Sequence, residues 1–381
     1  MTESAPSRVR LVATTREVDP IEDVLAHADP AHPLAWLRRG EGMIGFGAAA
    51  TISVGGQLAD PAPVSHAGAL ADEWRAVVDA ASVTDEVGLP GTGLIAFGAL
   101  SFDPASSLPS TLIVPRFVFG RREGRSWITT VVSSDSDDSA TPEAPPPRPW
   151  GPAWSATVGP GALDAAGYQT AVQAALDAIS SGEVSKVVLA RALVGSIPAG
   201  ADLRRLVRAL TTGYPDVWTY AVDGIIGASP ETLVTVSGGT ITARVLAGTA
   251  PRGADADADT QASVALFASG KDQDEHRFAV ESVLRTLRGH TSALTASEQP
   301  FALKLPNVWH LATDVEGVLR GGASALDLVG ALHPTAAVAG TPTAAALEVI
   351  RRIEPFDRGR YAGPVGWIDA AGDGEWAIAL R

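Results

Sequence analysis

The sequence predicts an α+β fold built on antiparallel β-sheets. Most of its apolar runs alternate with a period of two, which is typical of half-buried strands. Helical patterns lie between these runs, but without the strict strand–helix alternation of a parallel α/β fold. Hydrophobic residues make up 46% of the 381 positions, so the chain can bury a substantial core in one large domain or in about two smaller ones.

Charge and composition exclude several classes of function. The chain has 29 basic and 43 acidic residues and a formal net charge of −14, so we expect no general attraction to nucleic acid or to an anionic membrane. It has no cysteine, which removes disulfides, thiolate metal sites and the thiol that a glutamine-hydrolysing domain needs. The polar N-terminal stretch and the lack of an apolar run of spanning length predict a cytoplasmic protein.

Residues 1–130 are predicted to form mainly strands. One helical pattern covers 69–81, and the strand-like runs are 43–46, 51–54, 93–97, 110–119 and 126–132. Residues 133–150 are so rich in Ser, Asp and Pro that we expect them not to pack, and to form a surface loop or a linker between two domains.

The rest of the chain mixes helices with strands. Helical patterns cover 163–181, 203–211, 260–268, 271–288, 325–331 and 343–353. Strand patterns cover 184–191, 217–222, 225–228, 233–236, 240–245 and 307–318, and a closing hairpin joins 361–369 to 375–381.

A lysine lies in the middle of the apolar strand pattern at 184–191. Strand alternation puts Lys186 on the same face as Val184, Val188 and Ala190. The side chain either packs its stem at a strand end or is buried within the fold. Burial lowers the pKa of a lysine, and a neutral lysine is a base that can take a proton from water. The stretch alone leaves both interpretations open.

Three carboxylates are candidates for chemistry. Ser229-Pro230-Glu231 would ordinarily begin a helix, but a strand pattern follows and leaves Glu231 beside a sheet. A carboxyl in such an apolar setting has a raised pKa and can donate a proton. Asp272 and Glu275 share one face of the helix at 271–288, either as acids that favour its first turns or as ligands for a hard cation such as Mg²⁺.

Six ordered motifs together resemble the chorismate-utilising enzymes, and most closely the isochorismate synthases. The match is good from about residue 163 to the end and weak in 1–130. The motifs are Lys-Val-Val-Leu-Ala-Arg at 186–191, Gly-Ala-Ser-Pro-Glu at 227–231, Ala-Gly-Thr at 247–249, Lys-Asp-Gln-Asp-Glu-His at 271–276, His-Pro-Thr-Ala-Ala-Val-Ala-Gly-Thr-Pro at 333–342 and Tyr-Ala-Gly-Pro-Val-Gly-Trp at 361–367.

The resemblance implies a fold and a reaction. The fold is a single chorismate-binding domain over 1–381, in which large antiparallel β-sheets pack as a sandwich with flanking helices and 133–150 is a surface loop. In the reaction, Lys186 activates water to attack C2 of chorismate and Glu231 protonates the departing C4 hydroxyl. Glu275 and Asp272 would hold Mg²⁺. The substrate-binding residues implied by family position are Gly248, Thr249, His310, Tyr361 and Arg381.

Lys186 also separates subclasses of the family. Relatives that use ammonia typically have glutamine at this position, so the resemblance implies water as the nucleophile, no glutamine amidotransferase subunit, and a monomer. Salicylate synthases share the lysine and go on to eliminate pyruvate, so they are the nearest alternative. Isochorismate feeds both menaquinone and siderophore pathways, and the motifs do not choose between them.

The end of the chain departs from the family pattern. In the family a glycine-rich turn and two glutamates follow the terminal strand and complete the Mg²⁺ site, whereas this sequence ends at Arg381. We therefore expect either a C-terminally truncated chain or a catalytically impaired chorismate-binding protein with an incomplete metal site.

Overall fold

The computed structural model describes residues 10–56, 65–134 and 142–380. Its strands are β1 (Leu11–Val18), β2 (Leu34–Arg38), β3 (Glu41–Val54), β4 (Ser82–Asp85), β5 (Ile95–Ala99), β6 (Ser110–Arg122), β7 (Arg125–Ser133), β8 (Thr157–Pro160), β9 (Lys186–Val187), β10 (Leu193–Ser196), β11 (Trp218–Val222), β12 (Ile225–Ser229), β13 (Thr232–Ser237), β14 (Thr240–Pro251), β15 (Thr291–Ala296), β16 (Phe301–Lys304), β17 (Val308–Leu319), β18 (Gly340–Thr341), β19 (Pro364–Asp369) and β20 (Gly374–Ile378).

The helices lie mostly in the second half of the chain. They are α1 (His66–Ala80), α2 (Ala165–Ser180), α3 (Arg204–Gly213), α4 (Ala256–Ala268), α5 (Gly270–Leu287), α6 (Ala325–Leu332) and α7 (Thr343–Ile353). Within the described residues, none of these helices has the length and apolar character needed to cross a membrane.

Sixteen of the described strands join in one mainly antiparallel sheet, whose central path runs β12-β11-β2-β3-β6-β5-β19-β20-β13-β14-β17-β15. Strands from the first half of the chain, β2, β3, β6 and β5, form the middle of this part of the path, and strands from the second half flank them on both sides. The two halves meet where β2 pairs with β11 and where β5 pairs with β19. One pair, β1 with β4, is parallel. The α+β class with a large antiparallel sheet is confirmed.

Two apolar layers cover the faces of this sheet. On one side, β13, β14 and β20 pack against α1, α5 and α6. On the other side, the arm that contains β2 and β11 folds over β5 and β19, so the sheet forms a sandwich with itself. Trp36 stacks on Trp218 in this second layer, with ring centroids 4.9 Å apart, and its Nε1 donates to Glu375 Oε2 at 2.8 Å.

The strand predicted at 184–191 is wrong in length. Only Lys186 and Val187 form a strand, β9, which pairs with β18 and lies outside the large sheet between α2 and α7. Among the described residues, no long neighbouring strand lies beside β9, so the main-chain groups after Val187 do not continue a strand ladder. The Val188 N–H donates to Ala339 O, and the Ala190 N–H donates to the Glu354 carboxylate.

Residues 142–150 contain neither helix nor strand, yet they pack against the body of the protein. The Arg148 N–H donates to Ala26 O at 2.8 Å, and Trp150 lies against the apolar cluster around Val24 and Val207. The expectation that this segment does not pack is therefore wrong at Trp150, because a large aromatic ring outweighs the polar composition around it. The remainder of the predicted loop, 135–141, lies outside the described residues.

Candidate active site

Six of the nine candidate residues surround one cavity of about 190 Å³. The cavity lies between β9, the link from β12 to β13, the middle of β14 and the first turns of α5. Main-chain and apolar groups complete its wall. The candidates that line it are Lys186, Glu231, Gly248, Thr249, Glu275 and His310, and the other lining residues are Pro230, Leu246, Ala247, Ala337 and Leu380.

Lys186 is held by the short β9–β18 ladder and points its amine toward α5. Its Nζ donates to Glu275 Oε1 at 2.7 Å, and the two side chains are 34% and 38% exposed. The interpretation of Lys186 as a fully buried, desolvated lysine is therefore wrong. The physical reason is that β9 lies at the edge of the cavity rather than inside the large sheet, so water and a carboxylate reach the amine.

Glu231 lies between the end of β12 and the start of β13, without any helical turn, as the strand pattern after it predicts. Its main chain is fixed on both sides. The Glu231 N–H donates to the Oγ of the fully buried Ser229 at 3.2 Å, and the Glu231 carbonyl accepts from the Ile378 N–H at 3.1 Å. These bonds tie the carboxyl-bearing residue to β20 and leave its partly buried side chain at the cavity wall.

A β-bulge in β14 shapes the opposite wall. The register with β17 shifts between Ala247 and Thr249, and Gly248 at the shift has a φ of +79°. A Cβ at Gly248 would lie 3.2 Å from Asp272 Cβ and from Leu311 Cδ1, so the glycine allows α5 to approach the strand.

Thr249 and His310 meet on the same wall. Thr249 Oγ1 and His310 Nδ1 lie 2.8 Å apart in a hydrogen bond across the β14–β17 pair, and His310 is buried. The two polar groups face the cavity together, where they can order a polar ligand.

His276 docks α5 onto the bulge, and sequence reasoning gave this residue no role. Its Nδ1 bonds Ala247 O at 3.1 Å and its Nε2 bonds Thr313 Oγ1 at 2.7 Å. A carbonyl only accepts, so Nδ1 carries the proton and Nε2 accepts from Thr313. Burial lowers the pKa of His276 and favours this neutral form. The neighbouring Glu275 is thereby aimed into the cavity. Its place in the motif at 271–276 was the one signal in the sequence.

Asp272 and Glu275 are the acids that could hold a cation here. Asp272 lies one turn before Glu275, on the side of α5 that faces Gly248. Among the described residues no group of three or more His, Cys, Asp or Glu side chains is arranged to bind a metal. One or two carboxylates plus oxygens of a substrate are the usual ligands of protein-bound Mg²⁺. By residue type the two acids could supply two oxygen ligands to such an ion, although Glu275 is paired with Lys186 in this structure.

Of the other candidates, Asp272 and Tyr361 are not among the residues that line the cavity. Tyr361 is on the loop before β19 with 45% of its surface exposed, and its N–H donates to Arg358 O. It lies near Tyr220, whose pKa is raised by burial and by Tyr361. Arg381 lies outside the described residues, although its neighbour Leu380 lines the cavity.

The arrangement brings an amine and a carboxyl group to one small polar cavity. Lys186 can accept a proton when neutral, and Glu231 can donate one when protonated. The geometry is that of a site for acid–base chemistry on a small molecule.

Comparisons with known proteins identify the family of this chain. A family model described as "Chorismate binding enzyme" matches residues 2–381. The isochorismate synthase EntC of Escherichia coli K12 is 33% identical over 291 residues, which cover 74% of this chain and 70% of EntC. The isochorismate synthase DhbC of Bacillus subtilis is 38% identical over 226 residues, or 56% of this chain and 57% of DhbC.

A solved structure shares the fold. The structure of MenF, the menaquinone-specific isochorismate synthase of Escherichia coli, superposes with a TM-score of 0.75 at 23% identity, over 100% of this chain and 87% of MenF. With the family match over nearly the whole sequence, these findings show that the chain belongs to the chorismate-binding enzymes.

Proposed function

We propose that this protein is an isochorismate synthase, which adds water at C2 of chorismate and releases the C4 hydroxyl. The single observation that carries the proposal is that Lys186 and Glu231 line the same cavity. The names of the relatives EntC and DhbC agree with it. A lysine rather than a glutamine at position 186 favours water over ammonia as the nucleophile.

Lys186 takes the role of general base. A lysine accepts a proton only when neutral, and an ordinary lysine with a pKa of about 10.4 is neutral in roughly 1 of 2,500 molecules at pH 7. Base catalysis therefore requires that Lys186 leave its ion pair with Glu275 when substrate is bound. The amine then removes a proton from the water molecule that attacks C2.

Glu231 takes the role of general acid. Hydroxide is a poor leaving group, so the C4 hydroxyl must receive a proton as its bond to carbon breaks. Glu231 is partly buried in the link between two strands, and it lines the cavity. It donates the proton to the C4 oxygen, and water leaves.

Asp272 and Glu275 would hold Mg²⁺. When bound, the ion would neutralise a carboxylate of the substrate, which otherwise enters a protein of net charge −14. We assign Gly248, Thr249 and His310 to substrate binding on the β14 wall. Contacts from Tyr361 and Arg381 to the pyruvyl carboxylate stay predictions, as do the monomeric state, the cytoplasmic location and the absence of an amidotransferase partner.

The proposal is tested by product analysis. The chain is incubated with chorismate, with Mg²⁺ or with a chelator, and the products are separated by chromatography against isochorismate, salicylate and pyruvate standards. We expect Mg²⁺-dependent isochorismate without pyruvate. Glu231→Gln is the matched control, because it keeps the size of the side chain but cannot donate an acidic proton, and it should form no product.

Two outcomes would replace the proposal. Salicylate together with an equal amount of pyruvate would make the protein a salicylate synthase. Chorismate binding measured by calorimetry, with no product under any condition, would make it a binding protein without turnover.

A further inference from the structure

A buried ion pair lies behind the cavity and includes none of the candidate residues. The Arg358 Nε donates to Glu354 Oε2 at 2.8 Å, and its Nη2 donates to Glu354 Oε1 at 2.6 Å. The side chains of Arg358 and Glu354 are only 3% and 1% exposed. Desolvating such a pair is so costly that apolar replacements are often equally stable. Stability alone therefore does not explain why the chain has this pair. The other hydrogen bonds of Arg358 and Glu354 indicate a role for it.

The pair uses its remaining bonds on the main chain of two different segments. Arg358 Nη2 donates to Val188 O at 2.7 Å, and Nη1 donates to Val338 O at 3.0 Å. Glu354 Oε1 accepts from the Ala190 N–H at 2.6 Å. The planar guanidinium of Arg358 thus joins the segment after Lys186 to the segment that contains Val338. The Glu354 carboxylate binds the segment after Lys186 a second time.

Both segments border the cavity. Val188 comes two residues after Lys186, and Val338 directly follows Ala337, which lines the cavity. The ladder that joins these segments is short, because β9 and β18 have two residues each. Arg358 extends the link between the two segments beyond the ladder.

Lys186 needs this support more than a residue in a long strand would. A two-residue ladder has few bonds to resist fraying, and a lysine side chain adds four flexible carbons. The Lys186 amine keeps a constant position in the cavity only if the main chain of Lys186 is held in place. A general base must come within about 2.6–3.2 Å of the proton it removes.

We propose that Glu354 and Arg358 are positioning residues for Lys186: they fix the main chain beyond β9 and β18 so that the amine is held in the cavity. This inference rests on the proposed function, in which Lys186 is the base. Loosening the pair should lower kcat and leave KM nearly unchanged, because substrate binding uses other walls of the cavity.

The test compares Glu354→Gln with Asp202→Asn. Asp202 forms a second buried pair with Arg204, with 3% and 0% exposed side chains and a 2.7 Å contact, and neither residue lines the cavity. Each variant removes one buried negative charge and keeps the side chain's shape. A misplacement of 1 Å can cost about 100-fold in rate, so we expect kcat to fall by about 10- to 100-fold in Glu354→Gln. Asp202→Asn should keep kcat and KM near the wild-type values.

A second readout does not depend on turnover. Lys186, Lys271 and Lys304 are the only lysines of the chain, so an amine-acetylating reagent followed by peptide mass spectrometry reports each of them. The labelling rate of Lys186, relative to the other two lysines, should rise severalfold in Glu354→Gln and stay constant in Asp202→Asn. Arg358→Lys with its control Arg204→Lys provides a second pair of variants, because a lysine cannot bind the carboxylate and both carbonyls at once.

The outcomes separate the two hypotheses. Equal losses of kcat in the Glu354 and Asp202 variants, or unchanged Lys186 labelling in folded Glu354→Gln and Arg358→Lys proteins, would overturn the positioning role. If the wild-type protein forms no isochorismate while Lys186 labelling still rises in Glu354→Gln, the positioning role stands and the proposed function fails.

Discussion

The Glu354–Arg358 and Asp202–Arg204 pairs solve one physical problem in two parts of the molecule. In each, a buried guanidinium binds a nearby carboxylate and lies over an aromatic ring, Phe102 in one case and Trp150 in the other. Each arginine also donates to main-chain carbonyls, which satisfies its remaining donors. The energetic terms are therefore similar.

The two pairs differ in the segments they bind. Arg204 donates to the carbonyls of Ala26, in a short helical turn, and of Arg148 and Pro149, in the segment before α2. None of these three residues lines the cavity. Arg358 binds the segment that carries Lys186. The comparison teaches that burial and charge determine how strongly the members of a pair bind each other. Whether catalysis depends on the pair is determined by which main-chain segment the pair binds.

The largest expected difference is in kcat, when one residue is truncated beside each pair: Lys186 near Arg358 and Trp150 near Arg204. Lys186→Ala should lower kcat by about 10²–10⁴-fold, the usual contribution of a general base, while chorismate still binds in the presence of Mg²⁺. Trp150→Ala should keep kcat within about twofold, because Trp150 packs on a different apolar cluster and does not line the cavity. Steady-state kinetics and titration calorimetry measure both effects. Near-normal turnover by Lys186→Ala would remove the base assignment.

The next largest effect concerns stability, where the two regions should behave alike. Arg358→Met and Arg204→Met each leave an uncompensated buried carboxylate, so each should lower the free energy of unfolding by about 3–5 kcal/mol. Urea denaturation followed by circular dichroism measures this change. A loss below about 1 kcal/mol in either variant would mean that the remaining carboxylate finds water or another partner.

The smallest expected effect is a difference in pH dependence. Each pair has a histidine nearby: His333 packs against Phe102, the ring under Arg358, and His27 follows Ala26, whose carbonyl accepts from Arg204. Burial lowers the pKa of His333 from 6.5 to about 4 and lowers that of His27 as well. Between pH 6.5 and pH 4 the unfolded chain therefore binds a proton that the folded His333 does not. The contribution of neutral His333 to stability is fully present above pH 6.5 and is lost as the pH decreases toward 4.

At 1.36 kcal/mol per pKa unit, this loss is roughly 3 kcal/mol for His333. His333→Asn should make the decline in unfolding free energy between pH 6.5 and pH 4.5 clearly smaller, and His27→Asn should reduce it less. Urea denaturation of the three proteins at both pH values measures it. Parallel declines in the wild-type and His333→Asn proteins would contradict the prediction.

Local patterns in the sequence predicted much of the fold. Periodicity identified the strand after Glu231 and the long helix that carries Glu275, because apolar spacing reports which face of an element is buried. The same patterns failed at 184–191, where a strand-like composition does not reveal that no long partner strand is available. Strand length depends on neighbours that are distant in sequence.

The candidate site was predictable where a residue type itself suggests chemistry, as at Lys186 and Glu231. It was not predictable where the role depends on a distant contact. His276 acts through a carbonyl on β14, and Arg358 acts through carbonyls 20 and 170 residues away in sequence. No local signal in a single sequence specifies such partners.

The bulge at Gly248 contributes main chain to one wall of the cavity, beside the side chains of Thr249 and His310. A peptide group presents the same amide and carbonyl whichever amino acid is encoded, so this part of the wall is insulated from point mutations that preserve the bulge. Gly248 itself is the exception, because its φ of +79° strains any other residue. The walls built from Lys186, Glu231 and Glu275 have no such protection, because a single codon change alters their charge. Directed evolution of this cavity toward new ligands will therefore find its variation on the side-chain walls, with the peptide wall as a constant frame.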